Sequence, residues 1–152
     1  MAQLIRGCNP KTSLLAEPLK RILGEGIAYR DGCLVLKTQL ELTQLNARKR
    51  FQDETGYESF VNHIHLEDTI ASADVCVLLE QALVFADELA TLTSKAGIKE
   101  PLEYIVISDE NDVNVRFHIR RPGQSWLADD LETYEEAVAA VQLPNRADHD
   151  TQ

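Results

Sequence analysis

Apolar positions recur along the chain with two spacings, helical and alternating, and each spacing names an element. Between Lys11 and Gly24, Leu14, Leu15, Leu19, Ile22 and Leu23 stand at helical steps. Thr12 or Ser13 would cap this segment. Pro18 is tolerated only in a first turn, so the regular helix should begin near Glu17 and stop at Gly24 and Gly26. Arg30-Asp31-Gly32 is a turn signal. Leu34, Leu36, Thr38, Leu40 and Leu42 then alternate with Val35, Lys37, Gln39 and Glu41, the pattern of a strand with one buried face. Thr43 would cap a helix carrying Leu45, Ala47 and Phe51 and ended by Gly56. Tyr57 to Leu66 reads as a short strand, with Phe60, Ile64 and Leu66 on one alternation and Val61, His63 and His65 on the other.

The dominant element is a helix from about Ala73 to Ala96, with Ser72 as cap and Gly97 as terminus. Val75, Leu78, Ala82, Phe85, Leu89 and Leu92 form one apolar row; Cys76, Leu79, Leu83, Ala86 and Ala90 form a second beside it. Two adjacent rows leave only a narrow polar stripe of Glu80, Gln81, Asp87, Glu88 and Lys95, so this helix should be central. Past Pro101 the period changes to two. Tyr104-Ile105-Val106-Ile107, the polar turn Asp109 to Asp112, and Val113, Val115, Phe117 and Ile119 make a β-hairpin. Arg121-Pro122-Gly123-Gln124 turns the chain again, and Ser125 to Leu131 would be a third antiparallel strand carrying Trp126. Thr133-Tyr134-Glu135-Glu136 is a capping box that should open a helix with Ala137, Val138 and Val141 on one face, ending before Pro144. The pattern therefore predicts one α+β domain over 1–144, with helices on a largely antiparallel sheet, a long central helix and a C-terminal three-stranded meander. Residues 145–152 read as a disordered tail.

Composition narrows the function classes. The chain has 152 residues, 44% hydrophobic and 26% charged, which is enough for one ordinary globular core. Its longest apolar run, Val75 to Ala86, is interrupted by Glu80 and Gln81, so no membrane span is expected. Met1 to Pro10 has no secretory pattern, and Cys8, Cys33 and Cys76 form an odd, widely spaced set. Reduced, buried thiols in a cytoplasmic protein follow. Up to Gln52 there are nine Lys or Arg against four Asp or Glu, a net of +5; from Asp53 on there are six against twenty-one, a net of −15. Such a domain repels nucleic acid and attracts basic partners.

Candidate chemistry is sparse. His63-Ile64-His65 would point two imidazoles to one side of a strand, with Glu67 and Asp68 just beyond, but a metal site needs three or more ligands and only His118 offers another imidazole from an ordered segment. No nucleophile elbow and no glycine-rich phosphate loop occurs, so the chain is not expected to be an enzyme and no cofactor is expected. Arg116, His118 and Arg120 share one strand face, with Arg121 beyond, where neighbouring carboxylates should pair with them. Arg48-Lys49-Arg50 reads as an exposed helix face. The acids Asp109, Glu110 and Asp112 in the hairpin turn, with Asp129, Asp130, Glu132, Glu135 and Glu136 further on, would form one acidic surface interleaved with Trp126 and Tyr134. Aromatic anchors beside steering carboxylates suit a basic protein partner.

In size, acidity and organisation, and in the run Ser125-Trp126-Leu127 through Leu131, Tyr134 and Ala137, the chain resembles bacterial immunity proteins of the contact-dependent or polymorphic-toxin type. The resemblance implies a cognate toxin, basic and nuclease-like, occluded by the acidic surface, and carries over no catalytic residue. A dimeric acidic secretion chaperone is the alternative, since Leu14 to Leu42 would place a helix before a hairpin and the long helix, with Val77 and Val84, would serve as a dimer interface. A metal-dependent enzyme using His63 and His65 ranks third. Monomer and homodimer both remain open.

Overall fold

The computed structural model describes Arg6 and residues 13–40 and 47–143. The expected tail, Cys8, Thr12 and the stretch from Glu41 to Asn46, including Thr43 and Leu45, lie outside the described residues.

Helix α1 (Glu17–Glu25) starts where Pro18 requires it. Its N-cap, Ala16, makes no side-chain cap bond, and Gly26 ends it at φ 88°. Strands β1 (Ile27–Arg30) and β2 (Cys33–Leu36) form an antiparallel hairpin with Arg30 opposite Cys33. Its two-residue turn holds Asp31 at φ 52° and Gly32 at φ 76°. Two left-handed residues give the turn that matches strand twist, which is why an Asp-Gly pair sits there. β1 entered the sequence reading only as an arm of the hairpin in the chaperone alternative, and the expected Leu34–Leu42 strand stops at Leu36, after which helix α2 (Lys37–Leu40) begins. Of the helix expected from Thr43 to Gly56, the described residues keep only a short 3-10 turn, Ala47–Arg50, and Gly56 does not end it but lies in the first turn of the next helix.

The expected Tyr57–Leu66 strand is instead helix α3 (Glu54–Val61) followed by strand β3 (His63–His65) and helix α4 (Leu66–Thr69). Asp53 caps α3 through its side chain, which accepts from the Gly56 amide. The long helix is α5 (Val75–Lys95), about 32 Å from end to end at 1.5 Å per residue. Asp74 caps it, while Ser72 accepts from the Asp74 amide one step earlier. Gly97, at φ 76°, follows the C-cap Ala96.

Strands β4 (Leu102–Ser108) and β5 (Val113–Ile119) form the expected hairpin. The third C-terminal strand is not Ser125–Leu131, which takes no strand conformation, but β6 (Ala137–Leu143), where the capping box pointed to a helix. Thr133 caps nothing: it ends the 3-10 turn Leu131–Thr133, and its hydroxyl donates to the Asp130 carbonyl. β6 lies antiparallel to β4, so the sheet order is β3-β5-β4-β6. Pairing with β4 over seven residues outweighs the weak helical preference of an Ala-Val segment.

The α+β architecture is thus helices on an antiparallel sheet with the long helix across it. Leu78, Leu79, Ala82, Phe85, Ala86, Leu89 and Ala90 of α5 pack against Leu102, Tyr104 and Val106 of β4 and Val113, Val115, Phe117 and Ile119 of β5 in one core. Each large side chain removed from water here contributes about 1.5–3 kcal/mol. The Tyr104 hydroxyl donates to the Ala82 carbonyl at 2.8 Å, fixing helix on sheet. Gln81, expected in the polar stripe, is buried: its amide accepts from the Ala16 N–H and donates to the Leu14 carbonyl, holding the approach to α1.

Candidate functional site

Sheet order brings distant acids together. β3 and β4 run toward the end of the sheet where β5 and β6 begin, because His65 pairs with Asn114, Ser108 with Val113, and Ala137 with Ser108. Glu67 and Asp68 follow the first strand, Asp109, Glu110 and Asp112 fill the hairpin turn, and Glu135 and Glu136 precede β6. Seven carboxylates from three stretches of chain therefore crowd one end of the sheet. Asp109, Glu110, Glu135 and Glu136 line a cleft of about 480 Å³ with Ser108 and Ala137. On the other side of the turn, partial desolvation raises the pKa of Asp112, and the neighbouring Asp109 and Glu67 raise it further. Part of this acidity shapes the turn itself, since Asp109 Oδ1 accepts from the amides of Asn111 and Asp112, both at 3.1 Å. Glu67 Oε2 likewise accepts from the Val113 amide at 3.2 Å.

The remaining predicted acids do not line that cleft. Asp129, Asp130 and Glu132 are exposed on the loop between β5 and β6, where Asp130 caps the 3-10 turn by accepting from the Glu132 amide. The Tyr134 hydroxyl accepts from the Ala128 amide in the same loop. Gln124 anchors the loop by donating to Glu54 and accepting from the Thr55 amide. Trp126 covers the Arg116 guanidinium, 5.0 Å from the ring centroid, and is 36% exposed. It is a cation–π partner over the sheet face opposite α5, not a free anchor beside the hairpin acids.

His63 and His65 do share a side, with ring centroids 4.3 Å apart. Their environments differ. Burial, then the Arg116 charge and then His65, push His63 down to about 4, so it is neutral at pH 7. His65 Nδ1 lies 2.9 Å from Glu67 Oε1. His65, Glu67 and Asp68 could present one ligand atom each within 4.8 Å of one another. An imidazole with two carboxylates is a donor set that first-row divalent metals accept, so a cation would sit on this trio rather than between the two histidines.

The basic face divides. His118 Nε2 lies 3.1 Å from Glu103 Oε2. Arg121 pairs with Glu58, as expected of a cation among carboxylates. Arg116 instead donates to the Ser59 carbonyl, and Arg120 to the Gln142 side-chain oxygen. Arg48 pairs with Glu54 at 2.8 Å. Cys33 is buried, and burial, reinforced by Glu58, raises its thiol pKa.

The sequence pattern did not mark Glu58 and Asn62, both fully buried. Glu58 accepts from the amides of Leu34 and Ile119 at 2.7 Å each and from both terminal nitrogens of Arg121. Asn62 accepts from the Leu36 amide and donates to the carbonyls of Leu34 and Phe117. Glu58 of α3 and Asn62, the residue that caps its C-terminus, thus join β2 to β5 where no backbone ladder does. This is a structural joint, and it sets the small hairpin on the main sheet.

Among the described residues no helix is long and apolar enough to cross a membrane. No curated protein and no solved structure matches the chain. A family model matches residues 1–149, and the chain therefore belongs to the family described as the Uncharacterized protein PM0498 family.

Proposed function

We propose that the protein binds a basic protein partner through the acidic end of its sheet, and that it acts as an inhibitor of the immunity type, occluding a cognate toxin. The observation that supports this reading is the gathering of Asp109, Glu110, Glu135 and Glu136 around one cleft, with Asp112, Glu67 and Asp68 beside it. Like charges held together cost stability through mutual repulsion, and a cationic surface docked on them relieves that cost. The alternative of a dimeric chaperone built on the long helix has less support, because α5 spends Leu78, Phe85 and Leu89 on its own core and Val84 packs against that core too.

The test is association with a basic toxin domain encoded beside the gene, measured at low and moderate salt. Replacing Asp109, Glu110 and Asp112 by Asn, Gln and Asn, or Glu135 and Glu136 by Gln, should slow association and flatten its salt dependence, since charge attraction is screened within about 8 Å at 0.15 M. Unchanged rates and salt slopes in both folded variants would defeat the reading.

A further inference from the structure

Arg48, Arg116 and Arg121 are all partly withdrawn from water, but they are not partnered alike. Arg121 and Arg48 each hold a carboxylate, Glu58 at 2.7 Å and Glu54 at 2.8 Å. Arg116, in the middle of β5 on the sheet face opposite α5, holds none among the described residues. Its Nη1 donates to the Ser59 carbonyl at 3.0 Å, and the Trp126 ring covers a face of the guanidinium. Its Nε is buried and makes no hydrogen bond. The hydroxyl of Ser59, the residue whose carbonyl Arg116 holds, is fully buried and makes none either. Burial pushes the Arg116 pKa down, with no carboxylate close enough to oppose the shift. His63, opposite Arg116 in the β3–β5 register, is neutral at pH 7 and offers no negative charge. In a chain of net charge −10, a half-buried cation left without an acid is an exception that calls for an external one.

The part of the guanidinium left over identifies the ligand. With Nη1 engaged, the remaining edge carries Nε and Nη2, and neither bonds to a described residue. Two parallel N–H groups on one edge match the two oxygens of a carboxylate. The domain's negative field repels a phosphate dianion or a polyanion more strongly than a singly charged acid. An indole beside the charge offers an apolar surface to the rest of such a molecule. We infer that the Nε–Nη2 edge of Arg116 binds the carboxylate of a small organic acid, with Trp126 as the movable cover of the site. Trp126 is 36% exposed and stands on a loop, so its ring has an open side toward which to turn. As the ring lifts, Nε comes into reach and the acid's carbon skeleton takes its place against the indole. The Ser59 hydroxyl is available as a further donor. This site is separate from the acidic end of the sheet and does not rest on the partner proposed above.

Trp126 is the only tryptophan of the chain, so its emission reports on this site alone. Acetate and benzoate, added to the parent protein at constant ionic strength, should change that emission saturably, with a midpoint of about 1–10 mM. The Arg116 Nε–H resonance should move with the same midpoint in proton–nitrogen spectra. Benzoate should bind more tightly than acetate, because its ring can pack on the indole. Arg116→Gln should weaken binding about tenfold or more, and Arg116→Lys should do the same, since an ammonium keeps the charge but not the two-pronged edge. Arg120→Gln should leave binding unchanged. The resonance is read on the parent protein, so the test stands even if the Arg116 variants fail to fold. The inference is overturned by an Nε–H signal that neither acid moves saturably, which would mean that the edge is closed or already supplied from the same chain. It is overturned equally if sulfate or phosphate matches acetate, or if Arg116→Lys binds like the parent. A glutamate-rich peptide that binds about tenfold more tightly than benzoate would also overturn it, by assigning the edge to an acidic protein partner.

Discussion

Strand β5 is held on its two sides by different means. On one side β4 meets it through seven consecutive residue pairs. On the other, β3 supplies three, and beyond them Glu58 and Asn62 replace the ladder with side-chain groups. A backbone ladder is indifferent to most side chains, whereas a side-chain joint depends on particular atoms. Stability should therefore be spread thinly along one side of β5 and concentrated in two residues on the other.

The largest effect should come from Glu58→Ala, which leaves Arg121 without its partner and the Leu34 and Ile119 amides without an acceptor. Breaking a buried ion pair costs about 3–5 kcal/mol. A loss below about 1 kcal/mol in chemical denaturation would mean the joint carries little, and the contrast would fail. Leu79→Ala, in the core that both sides share, should cost about 2–5 kcal/mol and provides the reference against which the joint is judged. Asn62→Ala leaves three backbone groups of β2 and β5 unsatisfied and should cost about 1–3 kcal/mol by the same measurement.

Acid should probe the boundary between the two sides, since His63 pairs with Arg116 where the ladder ends. Its native pKa lies near 4, below the ordinary 6.5. Above pH 6.5 both the folded and unfolded forms are neutral, so stability is unaffected; as pH falls from 6.5 toward 4 the unfolded chain takes a proton that the native state refuses, and stability falls. With the ring only half buried, the loss should be about 1–2 kcal/mol. His63→Ala should remove that part of the slope in a denaturation series across this range. The smallest effect should be that of Ile107→Val on β4, about 1 kcal/mol or less, because the ladder it belongs to does not depend on it.

The same contrast explains what could be read from sequence. The long helix, the β4–β5 hairpin and the Asp31-Gly32 turn were legible because periodicity or turn chemistry is local. Tyr57–Leu66 was misread because Glu58, Ser59 and Asn62 are buried polar groups, which a reading of apolar alternation takes for solvent-facing positions. Their partners lie up to 63 residues away, and nothing local announces them. For β6, Thr133 and Glu136 imitated a cap, while the decisive signal was a place beside β4. The acidic site was partly legible. Asp109, Glu110 and Glu135 were named as one surface, and the sheet does bring them to one cleft. The addition of Glu67 and Asp68 depends on strand order, which no local pattern carries.

The Glu58 joint also has a consequence for the order of assembly during synthesis. Glu58 and the hairpin it holds are made first, yet Ile119 and Arg121 follow 61 and 63 residues later. At 5–20 residues per second the carboxylate waits roughly 3–13 s for its counter-charge. Until then burying it against β2 is unfavourable, so it stays hydrated and the N-terminal hairpin stays loose. The small hairpin thus cannot lock before the chain has reached Arg121, and in pulse-labelled refolding the Leu34 amide should become protected together with that of Ile119, not before it.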